Sequence, residues 1–201
     1  LAMQALFKAE RPVIIAGGGA IDAANEVIQF SKSFNIPVVS TMMGLGVYPA
    51  NGENYLGMVG IFGHANKIVR ESDLIIAVGT RFNDRIKSCL GDLTGKLIHI
   101  DINRVIPCSI GLIGDAKEIL SKMISYKCEV KNYSEWINYA KTLLSGNYKK
   151  RSDRMHSFEV LEQINECIND TIITTEVGQH QVWASRCLKF NKPRKFITSG
   201  G

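Results

Sequence analysis

The amino-acid sequence predicts an α/β protein built on a doubly wound parallel sheet. Short apolar runs rich in β-branched residues alternate with helix-length segments, and the first of these runs ends in three successive glycines. Strands that are apolar throughout are typical of parallel sheets covered by helices on both faces. A glycine turn after the first strand is typical of a chain that passes directly from a strand into a helix.

The elements of the first unit follow from this alternation. Residues 1–8 resemble the end of a helix, since they open on apolar residues with no capping side chain before them. A helical pattern follows the glycine turn over residues 22–34. Further strands are predicted at 13–16, 36–40, 74–78, 97–102 and 109–113, and further helices at 65–71 and 116–125.

A change of composition predicts a domain boundary after residue 125. Residues 126–157 are rich in Lys, Asn, Ser and Tyr, contain one helical pattern at 134–144, and are predicted to be a linker. Residues 158–201 begin a second α/β unit, with a helix at 158–168, a strand at 171–175, a helix at 179–188 and a strand starting at 196. We expect the second domain to be truncated, because so few elements rarely form a complete core.

Charge and cysteine content exclude several classes of function. The formal net charge is +5, but the basic residues are scattered, and the run of Lys149, Lys150, Arg151 and Arg154 is interpreted as a solvated face, not a nucleic-acid site. The five cysteines lack zinc or redox spacing, which favours free thiols in a reducing, cytoplasmic-type compartment. No apolar stretch is long enough to span a bilayer, so no membrane partner is expected.

The glycine turn at residues 17–19 could bring a ligand close to the backbone, but it does not match the nicotinamide dinucleotide fingerprint. Asp22 stands where the third glycine of that fingerprint belongs, and the second strand ends in Ser40, Thr41 and Met42 instead of an acid. A nicotinamide dehydrogenase is therefore disfavoured, and a plain tight turn remains the alternative.

Polar groups follow other predicted strands. Arg81 lies in the loop after strand 74–78, and Asp101 lies at the end of strand 97–102. Loops at the carboxyl ends of parallel strands converge on one crevice, where Arg81 could bind a phosphate and Asp101 could accept ribose hydroxyls. Each residue alone is equally compatible with a surface ion pair.

The segment at residues 174–183 predicts a diphosphate site. A strand passes through Gly178 into a helix whose first turn carries Gln179 and His180, so side-chain donors lie beside free backbone amides and the positive helix end. A capping or surface histidine is the alternative for His180.

Taken together, the motifs resemble those of acetolactate (acetohydroxyacid) synthase large subunits, which depend on thiamine diphosphate. They occur in the same order, at residues 16–19, 41–46, 57–60, 79–85, 99–102, 177–183 and 198–201. The resemblance implies a six-stranded middle domain that holds FAD in a structural, non-redox role, followed by the start of a domain that binds the cofactor diphosphate.

The resemblance also implies the site residues. FAD contacts fall on Gly18, Thr41, Met42, Val59, Gly60, Ile61, Phe62, Gly79, Thr80, Arg81, Phe82, Asn83, Asp101, Ile102, Asp115 and Ala116. Thiamine diphosphate contacts fall on Gly178, Gln179 and His180. The catalytic glutamate and the Mg²⁺ ligands of the family fall outside this chain, so neither a catalytic residue nor a metal ligand is assigned to it.

The family decarboxylates pyruvate and joins the hydroxyethyl group to a second 2-keto acid in branched-chain amino-acid biosynthesis. The resemblance implies small 2-keto acid substrates, a homo-oligomer, a regulatory small subunit, and a cytoplasmic or plastid location, with the fragment inactive by itself. Three positions depart from the family pattern, namely Phe62, Asn83 and Asn103, and residues 103–114 form a shorter segment than usual. The alternatives are another thiamine diphosphate carboligase or decarboxylase, such as glyoxylate carboligase, and a non-catalytic nucleotide-binding module.

Overall fold

The first unit is a six-stranded, all-parallel sheet with helices on both faces. The computed structural model describes residues 1–60, 63–103, 106–126, 131–144, 153, 155–168 and 170–199, apart from the side chain of Arg85. The strands are β1 (Pro12–Ala16), β2 (Val38–Ser40), β3 (Tyr55–Met58), β4 (Leu74–Val78), β5 (Leu97–Asp101) and β6 (Ile110–Ile113). Their order is β3-β2-β1-β4-β5-β6, which confirms the predicted doubly wound fold.

The pairing registers bring the carboxyl ends of neighbouring strands level with one another. Ala16 at the end of β1 pairs with Ser40 on one side and with Val78 on the other. Asp101, the last residue of β5, pairs with Ile113, the last residue of β6. All the loops that leave these strands therefore start at one edge of the sheet.

The helices of the first part of the chain are mostly those expected from the sequence. They are α1 (Ala2–Lys8), α2 (Ala24–Phe34), α3 (Asn66–Glu71), α4 (Asp84–Leu90), α5 (Ala116–Ile124) and α6 (Ser134–Thr142). Among the differences from the sequence-based expectation, two concern the segments that follow β1 and β4. A 3-10 helix at Gly18–Ala23 precedes α2, and α4 occupies part of the segment that we interpreted only as a ligand loop.

Helix α6 packs on the core of the first sheet. The indole Nε1 of Trp136 donates a hydrogen bond of 2.8 Å to the carbonyl oxygen of Pro12, and the Tyr133 hydroxyl donates to the carbonyl oxygen of Leu6 at 2.9 Å. Tyr133, Trp136 and Ala140 belong to the same buried cluster as the strands. The boundary at residue 125 stays a prediction, and the basic run at 149–154 lies outside the described residues.

The second unit starts with α7 (Ser157–Cys167), followed by β7 (Ile173–Thr175), α8 (Gln179–Cys187) and β8 (Phe196–Thr198). Strands β7 and β8 form a two-stranded parallel sheet. A second hydrophobic cluster joins this unit to the β3 side of the first sheet, through Leu45, Met58, Ala184, Leu188, Phe190 and Phe196. Among the described residues, no helix is long and apolar enough to cross a membrane.

Candidate functional site

The strand order reverses between β1 and β4, and two glycine turns meet at that point. Gly17 donates its N–H to the carbonyl oxygen of Val78 at 2.8 Å, and Gly19 donates to that of Gly79 at 3.0 Å. A Cβ atom on Gly17 would overlap the Gly79 carbonyl oxygen. The two turns therefore pack backbone against backbone through Gly17 and Gly19, while Gly18 stays half-exposed. In open α/β sheets this edge is where the ligand crevice lies.

The turn after β4 carries the cationic side chain of Arg81. Among the described residues Arg81 has no hydrogen-bond or ion-pair partner, and its side chain is exposed. Its neighbours on both sides, Thr80 and Phe82, are each 1% exposed. Asn83 is exposed but caps α4, since its side-chain oxygen accepts the N–H of Ile86 at 3.1 Å. The turn thus buries Thr80 and Phe82 and leaves the guanidinium of Arg81 accessible to a ligand.

A buried histidine, His99, contacts this turn from the neighbouring strand β5. The Nε2 atom of His99, in β5, lies 2.9 Å from the carbonyl oxygen of Thr80, and Nδ1 lies 3.1 Å from the backbone N of Ile106. The ring of Phe82 meets the imidazole edge-on at a centroid distance of 5.2 Å. Burial lowers the pKa of His99, with smaller opposing effects from the Thr80 carbonyl and from Asp101. Burial thus favours the neutral form of the imidazole.

Two carboxylates lie where β5 and β6 end. Asp101 is half-buried, and its Oδ1 accepts the N–H of Asn103 at 3.0 Å. Asp115 caps α5, because its Oδ1 accepts the N–H groups of Lys117 at 2.8 Å and Glu118 at 3.2 Å. Ile102, beside Asp101, is 71% exposed. An apolar side chain and a carboxylate thus stand next to each other at the open end of β5.

The loops after β2 and β3 contribute mostly backbone groups to the candidate site. Thr41 and Val59 are buried, and Met42 is half-exposed. Asn66, at the start of α3, donates to the carbonyl oxygen of Gly60 at 2.7 Å and accepts its N–H at 2.9 Å, which fixes the Gly60 backbone. Ile61 and Phe62 lie outside the described residues.

The structure divides the residues that the resemblance assigned to FAD into two groups by exposure. All the described ones lie at or after carboxyl ends of strands in the first sheet. Side chains that reach solvent belong to Met42, Arg81, Asn83, Asp101, Ile102 and Asp115. The others, apart from half-exposed Gly18, are buried and could offer backbone groups only: Thr41, Val59, Gly60, Gly79, Thr80, Phe82 and Ala116.

The second candidate site lies at the start of α8. Gln179 and His180 are exposed in the first helical turn, and Gly178 precedes them with no side-chain cap. A Cβ on Gly178 would lie 3.0 Å from the His180 ring, so the absence of a side chain lets the imidazole fold back over the turn. The start of α8 therefore places two exposed donor side chains beside the backbone amides at the positive end of the helix.

Gln181 ties this turn to the end of β8. Its Nε2 donates to Thr198 Oγ1 at 2.7 Å and to the Ser199 carbonyl oxygen at 2.9 Å. The hydroxyl groups of Thr175 and Thr198 are 2.7 Å apart, which links the carboxyl ends of β7 and β8. Gly200 and Gly201, the last residues of the motif at 198–201, lie outside the described residues.

Sequence reasoning missed the residues that hold these turns. Asn66 bonds the backbone of the loop that precedes its own helix, whereas His99 and Gln181 bond backbone groups almost twenty residues away. A histidine or an amide inside an apolar pattern was the available signal, since a buried polar side chain requires partners. No group of three or more His, Cys, Asp or Glu side chains suited to a metal ion occurs in the described part of the chain.

A doubly wound sheet with glycine turns and polar loops at its carboxyl edge is the architecture of domains that bind nucleotide-like ligands there. Comparison with known proteins narrows this class. The family model for the central domain of thiamine pyrophosphate enzymes matches residues 1–123. The chain belongs to the thiamine pyrophosphate (thiamine diphosphate) enzyme family.

Curated relatives align with the whole chain. The acetolactate synthase large subunit of Corynebacterium glutamicum is 34% identical, over 100% of this chain and 35% of the relative. The probable acetolactate synthase large subunit of Methanocaldococcus jannaschii is 36% identical, over 100% of this chain and 38% of the relative. The isozyme 3 large subunit of Escherichia coli K12 is 32% identical over the same shares. The chain thus spans a little over a third of the length of these relatives.

Proposed function

We propose that the chain is part of an acetolactate synthase large subunit, which decarboxylates pyruvate and condenses the product with a second 2-keto acid. The observation that carries the proposal is the alignment of the whole chain, with both candidate sites, to relatives of that name. The family model supports the first sheet as the central domain of such an enzyme, and the uncapped helix start after Gly178 supports a second ligand site.

We propose that the first site holds FAD. The residues fit an extended dinucleotide, since the exposed guanidinium of Arg81 suits a phosphate and the half-buried carboxylate of Asp101 suits ribose hydroxyls. The exposed side chain of Ile102 beside Asp101 offers an apolar surface to a planar ring. In this role FAD supplies structural support and no redox step.

We propose that the second site holds the diphosphate of thiamine diphosphate. Gln179 and His180 can donate to phosphate oxygens, and the helix terminus adds about half a positive charge. When bound, this cofactor supplies the carbanion chemistry that decarboxylation and carbon–carbon bond formation require. The residues of this chain bind and orient the cofactor, while the glutamate and the Mg²⁺ ligands are assigned to other parts of the enzyme.

We also propose the domain limits, substrates, assembly and location of the intact enzyme. Residues 1–125 form the FAD-type domain, 126–157 the linker and 158–201 the start of the diphosphate domain. The intact enzyme takes small 2-keto acids, forms a homo-oligomer, and associates with a regulatory small subunit in the cytoplasm or in a plastid. The chain alone lacks the catalytic groups and should be inactive.

The test is product analysis of the full-length protein. With thiamine diphosphate, Mg²⁺ and FAD present, pyruvate should yield CO₂ and acetolactate, and omission of FAD after its removal should reduce the yield. Acetaldehyde as the main product, or carboligation of glyoxylate without acetolactate formation, would assign the protein to a different activity within the same family.

A further inference from the structure

His99 is buried in β5, yet both of its ring nitrogens have partners from two different loops. Nδ1 receives the backbone N–H of Ile106 at 3.1 Å, so Nδ1 carries no proton. Nε2 must then carry the proton, which it donates to the carbonyl oxygen of Thr80 at 2.9 Å. A side chain that is 1% exposed thereby connects the turn after β4 with the segment after β5.

The turn that His99 holds has an unfavourable backbone. Phe82 is a bulky residue with a φ angle of +46°, in the left-handed region that such residues rarely adopt. Conformations of this kind persist only where surrounding contacts impose them. Here the contacts are the edge-to-face packing of the Phe82 ring on the imidazole at 5.2 Å and the hydrogen bond to Thr80. Arg81 lies between these two fixed residues.

We propose that His99 is a positioning residue for the FAD site, which sets the direction of Arg81 through Thr80 and Phe82. This inference rests on the proposed function, because it assumes that Arg81 meets the FAD phosphate. His99 itself is buried, so it would act on the ligand only through the turn. Its contribution is to keep the exposed guanidinium in one orientation, so that binding does not have to order the turn.

A purely structural histidine would behave differently. Loss of a buried hydrogen bond lowers the stability of the folded protein wherever the bond lies, but it changes ligand affinity only if the ligand site moves. Trp136→Phe is the matched control, since it removes one buried hydrogen bond, to Pro12, at the amino end of β1, away from the ligand edge. Affinity of the folded molecule for FAD separates the two roles.

The experiment is a flavin-fluorescence titration of the full-length apoprotein with FAD, using His99→Gln and His99→Asn. In the position of histidine, the Gln amide nitrogen can replace Nε2 and keep the bond to Thr80, whereas the shorter Asn side chain can replace only Nδ1 and keep the bond to Ile106. We expect His99→Gln and Trp136→Phe to bind FAD within about threefold of wild type. His99→Asn should bind roughly tenfold more weakly, equivalent to about 1.4 kcal/mol.

Equal affinities for His99→Asn, His99→Gln and Trp136→Phe would overturn the positioning role and leave the FAD site intact. Failure of the wild type to bind FAD would overturn the FAD proposal and this inference together. The FAD affinity of a double variant provides a second test, which does not depend on the size of the single effects. If His99 acts through Arg81, His99→Asn should add less than twofold to the loss caused by Arg81→Ala, and independent, multiplied losses would contradict the proposal.

Discussion

Gly19 and Gly79 pack backbone against backbone at the carboxyl ends of β1 and β4, where the N–H of Gly19 donates to the carbonyl oxygen of Gly79 at 3.0 Å. Gly79 has a φ angle of +59°, and a Cβ on it would overlap the backbone of Gly19. The close approach brings the two turns together at the point where the strand order reverses.

Gly79→Ala should destabilise the protein by about 2 to 4 kcal/mol, because the new methyl group meets backbone and the left-handed conformation disfavours alanine. Gly95→Ala is the control, since a Cβ on Gly95 has no atom within 4 Å. Its effect should be within about 0.5 kcal/mol. Urea unfolding of both variants measures the difference in the free energy of unfolding. Similar unfolding midpoints would contradict the close backbone contact between Gly19 and Gly79.

Arg81→Ala should weaken FAD binding to the full-length protein by about 1.5 to 3 kcal/mol, or roughly 10- to 150-fold, because a phosphate loses a charged donor. Lys87→Ala removes the same charge from an exposed position on α4 and serves as the control for net charge. Fluorescence titration of the two variants should show the loss in Arg81→Ala alone. An equal loss in both would indicate a general electrostatic effect.

His180→Ala should weaken the binding of thiamine diphosphate in the presence of Mg²⁺ by about 1.5 to 3 kcal/mol, the usual contribution of a hydrogen bond to a charged group. Gln163→Ala, at an exposed position on α7 in the same unit, should leave the affinity unchanged. Isothermal titration calorimetry on the full-length protein provides the comparison. Unchanged affinity for His180→Ala would assign this histidine to the protein surface.

Most of the fold was predictable because burial on both faces makes parallel strands apolar throughout. Strand β3 was the exception: its four residues, Tyr55–Met58, include a glycine and no β-branched side chain, so local pattern gave little indication of a strand. It forms because β2 offers a free edge and Tyr55 reaches across to it, with its hydroxyl 2.7 Å from the Ser40 hydroxyl.

For the candidate site residues, the location at strand ends was predictable from the sequence, but the exposure of each side chain was not. The sequence places Arg81, Phe82 and Asn83 together after β4, yet only the structure shows that Phe82 turns inward onto His99 while Arg81 turns outward. That difference depends on the left-handed backbone at Phe82, which tertiary contacts impose and no local pattern indicates.

Acid should destabilise the fold through buried His99 and half-buried His64. Burial lowers the pKa of His99, and burial together with the charge of Arg186 lowers that of His64, both from an ordinary value of 6.5. Because the folded pKa of each histidine lies below 6.5, the unfolded chain binds more protons at a pH between the two pKa values. The free energy of unfolding is therefore highest above pH 6.5 and decreases as the pH falls below that value. Each histidine contributes at most about 1.4 kcal/mol per pH unit.

Urea unfolding at pH 7.5 and at pH 5.5 tests the sign and the source of this dependence. Wild type should be less stable at the lower pH, and the loss should be smaller in His99→Gln and in His64→Gln. Trp136→Phe removes a buried hydrogen bond without removing a titrating group, so it should keep the wild-type pH dependence. An undiminished loss in both histidine variants would assign the acid sensitivity to other groups.

Gly46 lies at the contact between the first sheet and the second unit. Gly46 has a φ angle of +83°, and a Cβ on it would overlap the Lys192 carbonyl oxygen and lie 3.1 Å from the Pro193 nitrogen. Gly46→Ala should therefore loosen this contact, with opening easier by about 2 kcal/mol and amide exchange roughly 30-fold faster in α8 and β8. Asp22→Ala is the control, because the Asp22–Arg194 ion pair at 2.9 Å joins side chains that are 83% and 66% exposed and should contribute little.

Hydrogen exchange followed by mass spectrometry should show faster exchange in Gly46→Ala over α8 and β8 and unchanged protection in β1 and β4. Faster exchange throughout the first sheet would instead mean that Gly46 supports the core of that sheet, and unchanged exchange everywhere would mean that the contact can shift to accommodate a methyl group.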